Sequence, residues 1–338
     1  MSYMSHAFPS LNINTKKISA TCKYLTDNVE IIEGLFKKNQ IRFSQPWVLN
    51  DPIEANPCID IKIKTMKDIN NRYILDDVII PSYREVIYLN FVESRYNRYG
   101  ILCLSKNILN YNMWNMYANA HKGFIIDFKM GMDENKTFKS DALISGLVKY
   151  VKQYKVVIDR PLDENGYIIY DYLNSDLFLH KTIHWKKEKE YRIIRPLAEN
   201  PNYTEPEIAK SYRDNNIYLF NFDPYSIASI IFGAAMACEK KKLIIELTEK
   251  YGYQYFQCII DKSDNSKMYY LPIELWKDRE EYLNFMPQVF ITNGDEFRYF
   301  QKHTSVKSID DIEYCKSKEM RQYSLDYFER KKNNKKLS

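Results

Sequence analysis

The sequence predicts an α+β fold: a split, mostly antiparallel sheet flanked by helices over about residues 20–265, with a helical extension over residues 266–338. Three observations predict it. Short apolar runs alternate irregularly with amphipathic stretches, without the even crossover spacing of a doubly wound parallel sheet. The run IASIIF at Ile227–Phe232 has the length and continuous apolar character of a buried strand. Beyond about residue 265, strand signals thin out and charge rises, ending in the tail KKNNKKLS.

Taken in order, residues 1 to about 20 are a loose lead-in, and ATCKYLT over Ala20–Thr26 is a short strand. Asp27 and Glu30 have capping-box spacing, so a helix starts at Asp27, with Val29, Ile32, Leu35 and Phe36 as its apolar stripe. Asn39-Gln40 ends it, and IRFS over Ile41–Ser44 is a second strand. Asn50-Asp51-Pro52 is turn chemistry, because Asn and Asp bond their own backbone and Pro fixes φ. Residues 56–95 are mixed, with strand character at Tyr73–Ile80 and Val86–Phe91. Ile101–Ser105 reads as a strand. Asn107–Lys122 then reads as a helix, with Leu109, Met113 and Tyr117 along one side, Trp114 beside them and Gly123 at the stop. Phe124–Phe128 returns as a strand, and Leu147–Val157 is another of mixed periodicity. A polar loop at Asp159–Gly166 precedes a helix from Tyr167 to about Lys181. Strands at Ile217–Phe222 and Ile227–Phe232, a helix over Cys238–Tyr251 and a strand at Tyr253–Ile260 complete the pattern, and the last segment, Ile309–Ser338, reads as helical before it frays.

The chain has 338 residues, 45% hydrophobic and 28% charged, enough to bury a sizeable core in one large domain or two ordinary ones. The net charge of +5 comes without a concentrated arginine patch, so nucleic acid is not indicated. The six cysteines, Cys22, Cys58, Cys103, Cys238, Cys258 and Cys315, are scattered, as reduced thiols of a cytosolic protein would be. No signal pattern opens the sequence and no apolar run approaches the roughly 20 residues of a membrane span. The expectation is a soluble, cytoplasmic protein.

The chemistry concentrates in HWKKEKEYRIIRP, His184–Pro196. If Glu188–Ile194 is extended, Glu188, Glu190 and Arg192 share one strand face and Tyr191 and Ile193 the other. Such a face is either an exposed edge, with Arg192 pairing Glu188 or Glu190 at the surface, or a site whose groups satisfy a ligand or one another. His180, His184 and Glu188 are spaced i, i+4, i+8, which zinc would accept on one helix. The helix is expected to end near Lys181, so no metal is expected. There is no G-x-S-x-G elbow, and the nine glycines form no phosphate loop or dinucleotide fingerprint.

Several blocks occur in order: CKYLT, IRFSQPWVLNDPIE, ILCLS with MWNMYANAHKGFIIDF, LFLHKTIHWKKEKEYRII and IASIIFGAAM. Together they resemble the bacterial domain of unknown function 2971 family, with its FS-x-P-x-x-FNDPFE, MW-x-x-Y and W-x-x-E-x-E-x-R motifs, over residues 20–262. More distantly the pattern is similar to ADP-ribosyltransferase-like domains. That resemblance implies a site in which Lys23 and Tyr24 stand at the first position, Ser44 at the second and Glu190 at the third, with Glu188 two residues before it. It implies catalytic roles for Glu190, Glu188 and Ser44. It implies NAD, a nucleotide substrate, held by Lys23, Tyr24, Asn50, Asp51, Trp114, Tyr117 and Arg192. Cleavage of the nicotinamide–ribose bond has an oxocarbenium-like transition state, which a carboxylate beside the ribose would stabilise while a second positions or deprotonates the acceptor. Aromatic rings such as those of Tyr24 and Trp114 would stack on nicotinamide or adenine. Trp114 and Tyr117 are equally readable as core residues of an amphipathic helix, and Asn50-Asp51-Pro52 as a turn alone.

The function implied is an NAD-using transferase-like effector of a bacterial phage-defence or toxin system. Many relatives carry His at the position of Lys23, and Lys cannot both donate and accept. This motivates a second expectation: a non-catalytic sensor or interaction module of such a system, acting through a protein partner or target.

Overall fold

A computed structural model describes residues 21–51, 58–61, 98–108, 110–129, 133–141, 143–153, 155–158, 178–204, 216–260 and 268–273. The strands in chain order are β1 (Cys22–Leu25), β2 (Gln40–Arg42), β3 (Cys58–Ile61), β4 (Tyr99–Ser105), β5 (Phe124–Phe128), β6 (Ile144–Leu147), β7 (Lys149–Val151), β8 (Lys155–Ile158), β9 (His180–Thr182), β10 (Glu190–Pro196), β11 (Leu219–Asn221), β12 (Ile227–Phe232), β13 (Gln254–Ile260) and β14 (Met268–Pro272). The α-helices are α1 (Val29–Phe36), α2 (Tyr111–Tyr117), α3 (Glu134–Phe138) and α4 (Cys238–Thr248). The chain forms two compact units: Met1–Gln40, Leu104–Lys139 and Asn221–Ser338 make the first, and Ile41–Cys103 and Ser140–Phe220 the second.

In the first unit the strand order is β14-β13-β12-β5-β1. β5 is buried along its whole length, between β1 and β12, and pairs antiparallel with both. The fully buried run of β12 is the apolar IASIIF segment, and it continues through α4 into β13, which lies parallel to it. A strand buried on both faces reads as a continuous apolar run, and a parallel neighbour needs a crossover such as this helix. β14 adds antiparallel to β13, within the stretch expected to be a helical extension. The sheet is mostly antiparallel, as expected, but parallel pairs also occur at β12–β13, β3–β8 and β7–β9.

α1 buries Ile32, Leu35 and Phe36. Its cap is Asn28, not Asp27: Asn28 Oδ1 accepts from Glu30 N at 2.7 Å, and Asp27 instead accepts from Asn119 Nδ2 at 2.8 Å. The expected helix Asn107–Lys122 is correct only at its centre. Asn110 caps α2 by accepting from the backbone N–H groups of Asn112 and Met113, and after Tyr117 the backbone turns left-handed at Asn119, Ala120 and His121. Gly123 is therefore no helix stop; a Cβ there would lie 2.0 Å from the Leu25 carbonyl, so glycine lets β1 and β5 approach. The expected helix over Cys238–Tyr251 is α4 plus a 3-10 turn at Glu249–Tyr251, closed by Gly252 at φ 68°.

Around α2, Trp114 is fully buried; its Nε1 donates to the Ile108 carbonyl at 3.2 Å and to Tyr270 Oη at 3.1 Å. The Tyr270 hydroxyl donates to the same carbonyl. The Tyr24 ring meets Trp114 edge-on at 5.4 Å, and its hydroxyl donates to the Asn107 carbonyl at 2.6 Å. Tyr117 packs against this core.

In the second unit β10 lies between β4 and β6, and its register with β6 runs from Tyr191↔Leu147 to Ile194↔Ile144. The expected strand over Leu147–Val157 is instead divided among β6, β7 and β8. Ser44 bridges to Ile101 through paired backbone hydrogen bonds of 2.9 and 2.8 Å. The expected helix from Tyr167 lies mostly outside the described residues. Its expected end does not: His180–Thr182 is strand β9, parallel to β7. The loop at residues 159–166, the strands expected at Tyr73–Ile80 and Val86–Phe91, and residues 274–338 also lie outside the described residues. Among the described residues no helix is long and apolar enough to cross a membrane.

Candidate functional site

The site belongs wholly to the second unit and is built from β9, the 3-10 turn Ile183–Glu188 and β10. Glu188–Ile194 is not the single extended segment that its alternation suggests. Glu188 ends the 3-10 turn, Lys189 is left-handed at φ 47°, and the strand begins at Glu190. That kink replaces the simple i, i+2 face. It aims Glu188 and Glu190 at one ammonium: Lys181 Nζ lies 2.8 Å from Glu188 Oε2 and 3.2 Å from Glu190 Oε2. Glu190 and Arg192 keep the strand-face relation. Arg192 Nε donates to Glu190 Oε1 at 2.9 Å and Nη2 donates to Oε2 at 3.0 Å, a bidentate fork, while Nη1 donates to the Phe178 carbonyl at 2.6 Å.

The face is not an exposed edge. Relative exposures are 4% for Lys181, 6% for Glu188, 4% for Glu190 and 0% for Arg192. Two carboxylates and two cations buried together satisfy the demand that a buried charge be paired and hydrogen-bonded. Tyr150 Oη accepts from the Glu190 backbone N–H at 2.8 Å, and the Cys103 thiol bonds the Glu190 carboxylate. The Lys181 ammonium also sits 4.7 Å above the Trp185 ring. Burial opposes the charge on Lys181, but the carboxylates of Glu190 and Glu188 outweigh it and hold its pKa above the ordinary value. Burial pushes Glu190 up, against the pull of Lys181. Burial likewise works to lower Arg192, and the negative charge of Asp51 opposes it. The fork on Glu190 keeps the guanidinium charged. Burial raises the Tyr150 hydroxyl to about 12, so it stays a neutral partner.

Of the residues expected at a site, the structure brings Glu188, Glu190 and Arg192 together. Asp51 is buried and accepts from Thr182 Oγ1 at 3.4 Å, next to β9, whereas Asn50 is exposed. Ser44 belongs to the same unit through its bridge to Ile101, and among the described residues its hydroxyl makes no hydrogen bond. Lys23, Tyr24, Trp114 and Tyr117 belong to the first unit, where Tyr24 and Trp114 are core residues bonded to each other's surroundings. His180 on β9 and His184 in the 3-10 turn do not share a helix with Glu188. Sequence reasoning missed Lys181, Cys103 and Tyr150. A lysine in the run FLHKT carries no local mark of burial, and its role depends on β9 lying beside the turn.

Fold and site define an α+β protein with a mostly antiparallel sheet and a buried four-charge cluster. The family described as "Protein of unknown function (DUF2971)" matches residues 113–193, a segment that begins in α2 and contains all four charges. Over those residues the chain is similar to this family. No curated protein and no solved structure matches it.

Proposed function

We propose that the chain is a sensor or interaction module and that its W-x-x-E-x-E-x-R motif is an internal clamp rather than an NAD-cleaving centre. The observation that carries this reading is the occupancy of Glu190. A carboxylate that orients a ribose hydroxyl must offer an oxygen to the substrate. Both oxygens of Glu190 are already taken by Arg192 and Lys181, in a place that water barely reaches. A carboxylate accepts about four hydrogen bonds, and three cationic donors with the Cys103 thiol account for them. Withdrawing these donors would leave buried charges unpaired.

A second reading is ADP-ribosyl transfer or NAD hydrolysis, with Glu190 at the ribose and Glu188 at the acceptor. What favours it is the convergence of both carboxylates on one ammonium, because that spacing would serve one group to stabilise charge and one to move a proton. Titration calorimetry with NAD separates the two. The clamp reading expects no saturable heat at millimolar NAD and no release of nicotinamide. Saturable binding followed by nicotinamide release would overturn it and transfer the assignment to the second reading.

A further inference from the structure

We propose that His121, stacked on Trp114 with the Tyr111 ring tilted against it in the first unit, is a binding residue for a small neutral heteroaromatic compound, a nucleobase or an aromatic carboxamide, that enters where Tyr111 now lies. The inference is independent of the charge cluster, since none of its residues belongs to the second unit.

Two unfavourable features coincide at His121. Its ring is buried, with 5% exposure, yet neither Nδ1 nor Nε2 has a hydrogen-bond partner among the described residues. A buried polar group without a partner forfeits its hydration and gains nothing in return, and native proteins rarely keep one without a use. The backbone that places it is also strained: Asn119, Ala120 and His121 lie at φ 46°, 50° and 65°, three consecutive side-chain-bearing residues in the left-handed region. Such residues persist only where the surroundings fix them. Here Ala235 N donates to the His121 carbonyl at 2.9 Å, His121 N donates to the Trp114 carbonyl at 3.3 Å, and Asn119 is tied to Asp27. A satisfied core would be reached more simply by phenylalanine, which stacks equally well and has no nitrogen to satisfy.

The surroundings specify the ligand. Trp114 lies parallel to the imidazole, at 5.7 Å and 8°, and the Tyr111 ring covers it at 5.0 Å and 48°. A guest therefore meets aromatic faces, which select a planar ring. Burial lowers the His121 pKa to about 4, so the ring is neutral near pH 7 and presents one donor and one acceptor. A neutral imidazole in an apolar setting favours an uncharged guest with its own donor and acceptor over an ion. Tyr111 is 40% exposed, and its ring is the one a guest would displace from His121.

Long-range ¹H–¹⁵N NMR of the histidine side chains, with adenine and with nicotinamide as probes, tests the proposal. His121 is assigned as the resonance lost in His121→Phe. The expected result is that one of the probes shifts the His121 nitrogens saturably. His121→Phe should keep or raise the melting temperature and bind that probe roughly tenfold more weakly or worse, the effect of one lost hydrogen bond. If His121→Phe fails to fold, Tyr111→Ala serves instead: it vacates the place the guest takes and should bind the probe tighter by a similar factor. No shift with either probe, or affinity in the variant equal to wild type, overturns the proposal.

Discussion

Arg192→Ala is expected to lower the unfolding free energy by about 3–5 kcal/mol, the cost of removing one partner from a buried ion pair. The guanidinium is fully buried and its N–H groups reach both Glu190 oxygens and the Phe178 carbonyl. Its loss leaves Glu190 with Lys181 as its one cation, which Glu188 already shares. Arg192→Lys should recover little, because a single ammonium cannot reproduce the fork. Chemical denaturation of the two variants checks this, and a lysine variant as stable as wild type would show that charge alone suffices.

Gly233→Ala is expected to cost about 3 kcal/mol or more, at the upper end of overpacking. A Cβ there would lie 2.1 Å from the His121 carbonyl oxygen and 2.6 Å from that of Gly123. Both obstacles are backbone, and both carbonyls accept from this same turn: Gly233 N donates to Gly123 O and Ala235 N donates to His121 O, each at 2.9 Å. Neither can recede without breaking a bond. A methyl group added to Gly34, in α1, would meet nothing within 4 Å, so Gly34→Ala should raise stability by about 0.5–1 kcal/mol through helix propensity. Melting curves of the pair distinguish a steric requirement from a general sensitivity to added methyl groups.

The parts of the fold that follow from composition of a segment were legible in the sequence. IASIIF could only be a buried strand or a buried helix segment, and its length chose the strand. The stripe of Ile32, Leu35 and Phe36 placed α1 to within two residues. What was not legible depends on single backbone choices. Nothing in the side chain of Lys189 announces a left-handed residue, yet that residue takes Glu188 off the strand and turns it toward Lys181. The same holds at Asn119–His121, where a sequence with good helical spacing leaves the helix early. The burial of Glu190 and Arg192 was hidden for another reason. A Glu-Tyr-Arg triplet looks the same on an exposed edge as in a core, and only the tertiary structure pairs both edges of β10, with β4 and β6, and brings Lys181 and the Phe178 carbonyl to its Glu190 and Arg192. The motif thus pointed to Glu188, Glu190 and Arg192, which the structure brings together, while leaving open whether they serve a ligand or one another.

If Glu190 is a member of a closed ion network, the stability of Glu190→Gln tests this most directly. The substitution keeps size and removes the charge that Arg192 and Lys181 share. An amide also turns an N–H group toward donors that need acceptors. A closed network predicts a loss of about 3 kcal/mol, read as a melting temperature lower by about 5 °C. A Glu190→Gln protein that melts with wild type would contradict it, and would return Glu190 to the role of a carboxylate held ready for a substrate.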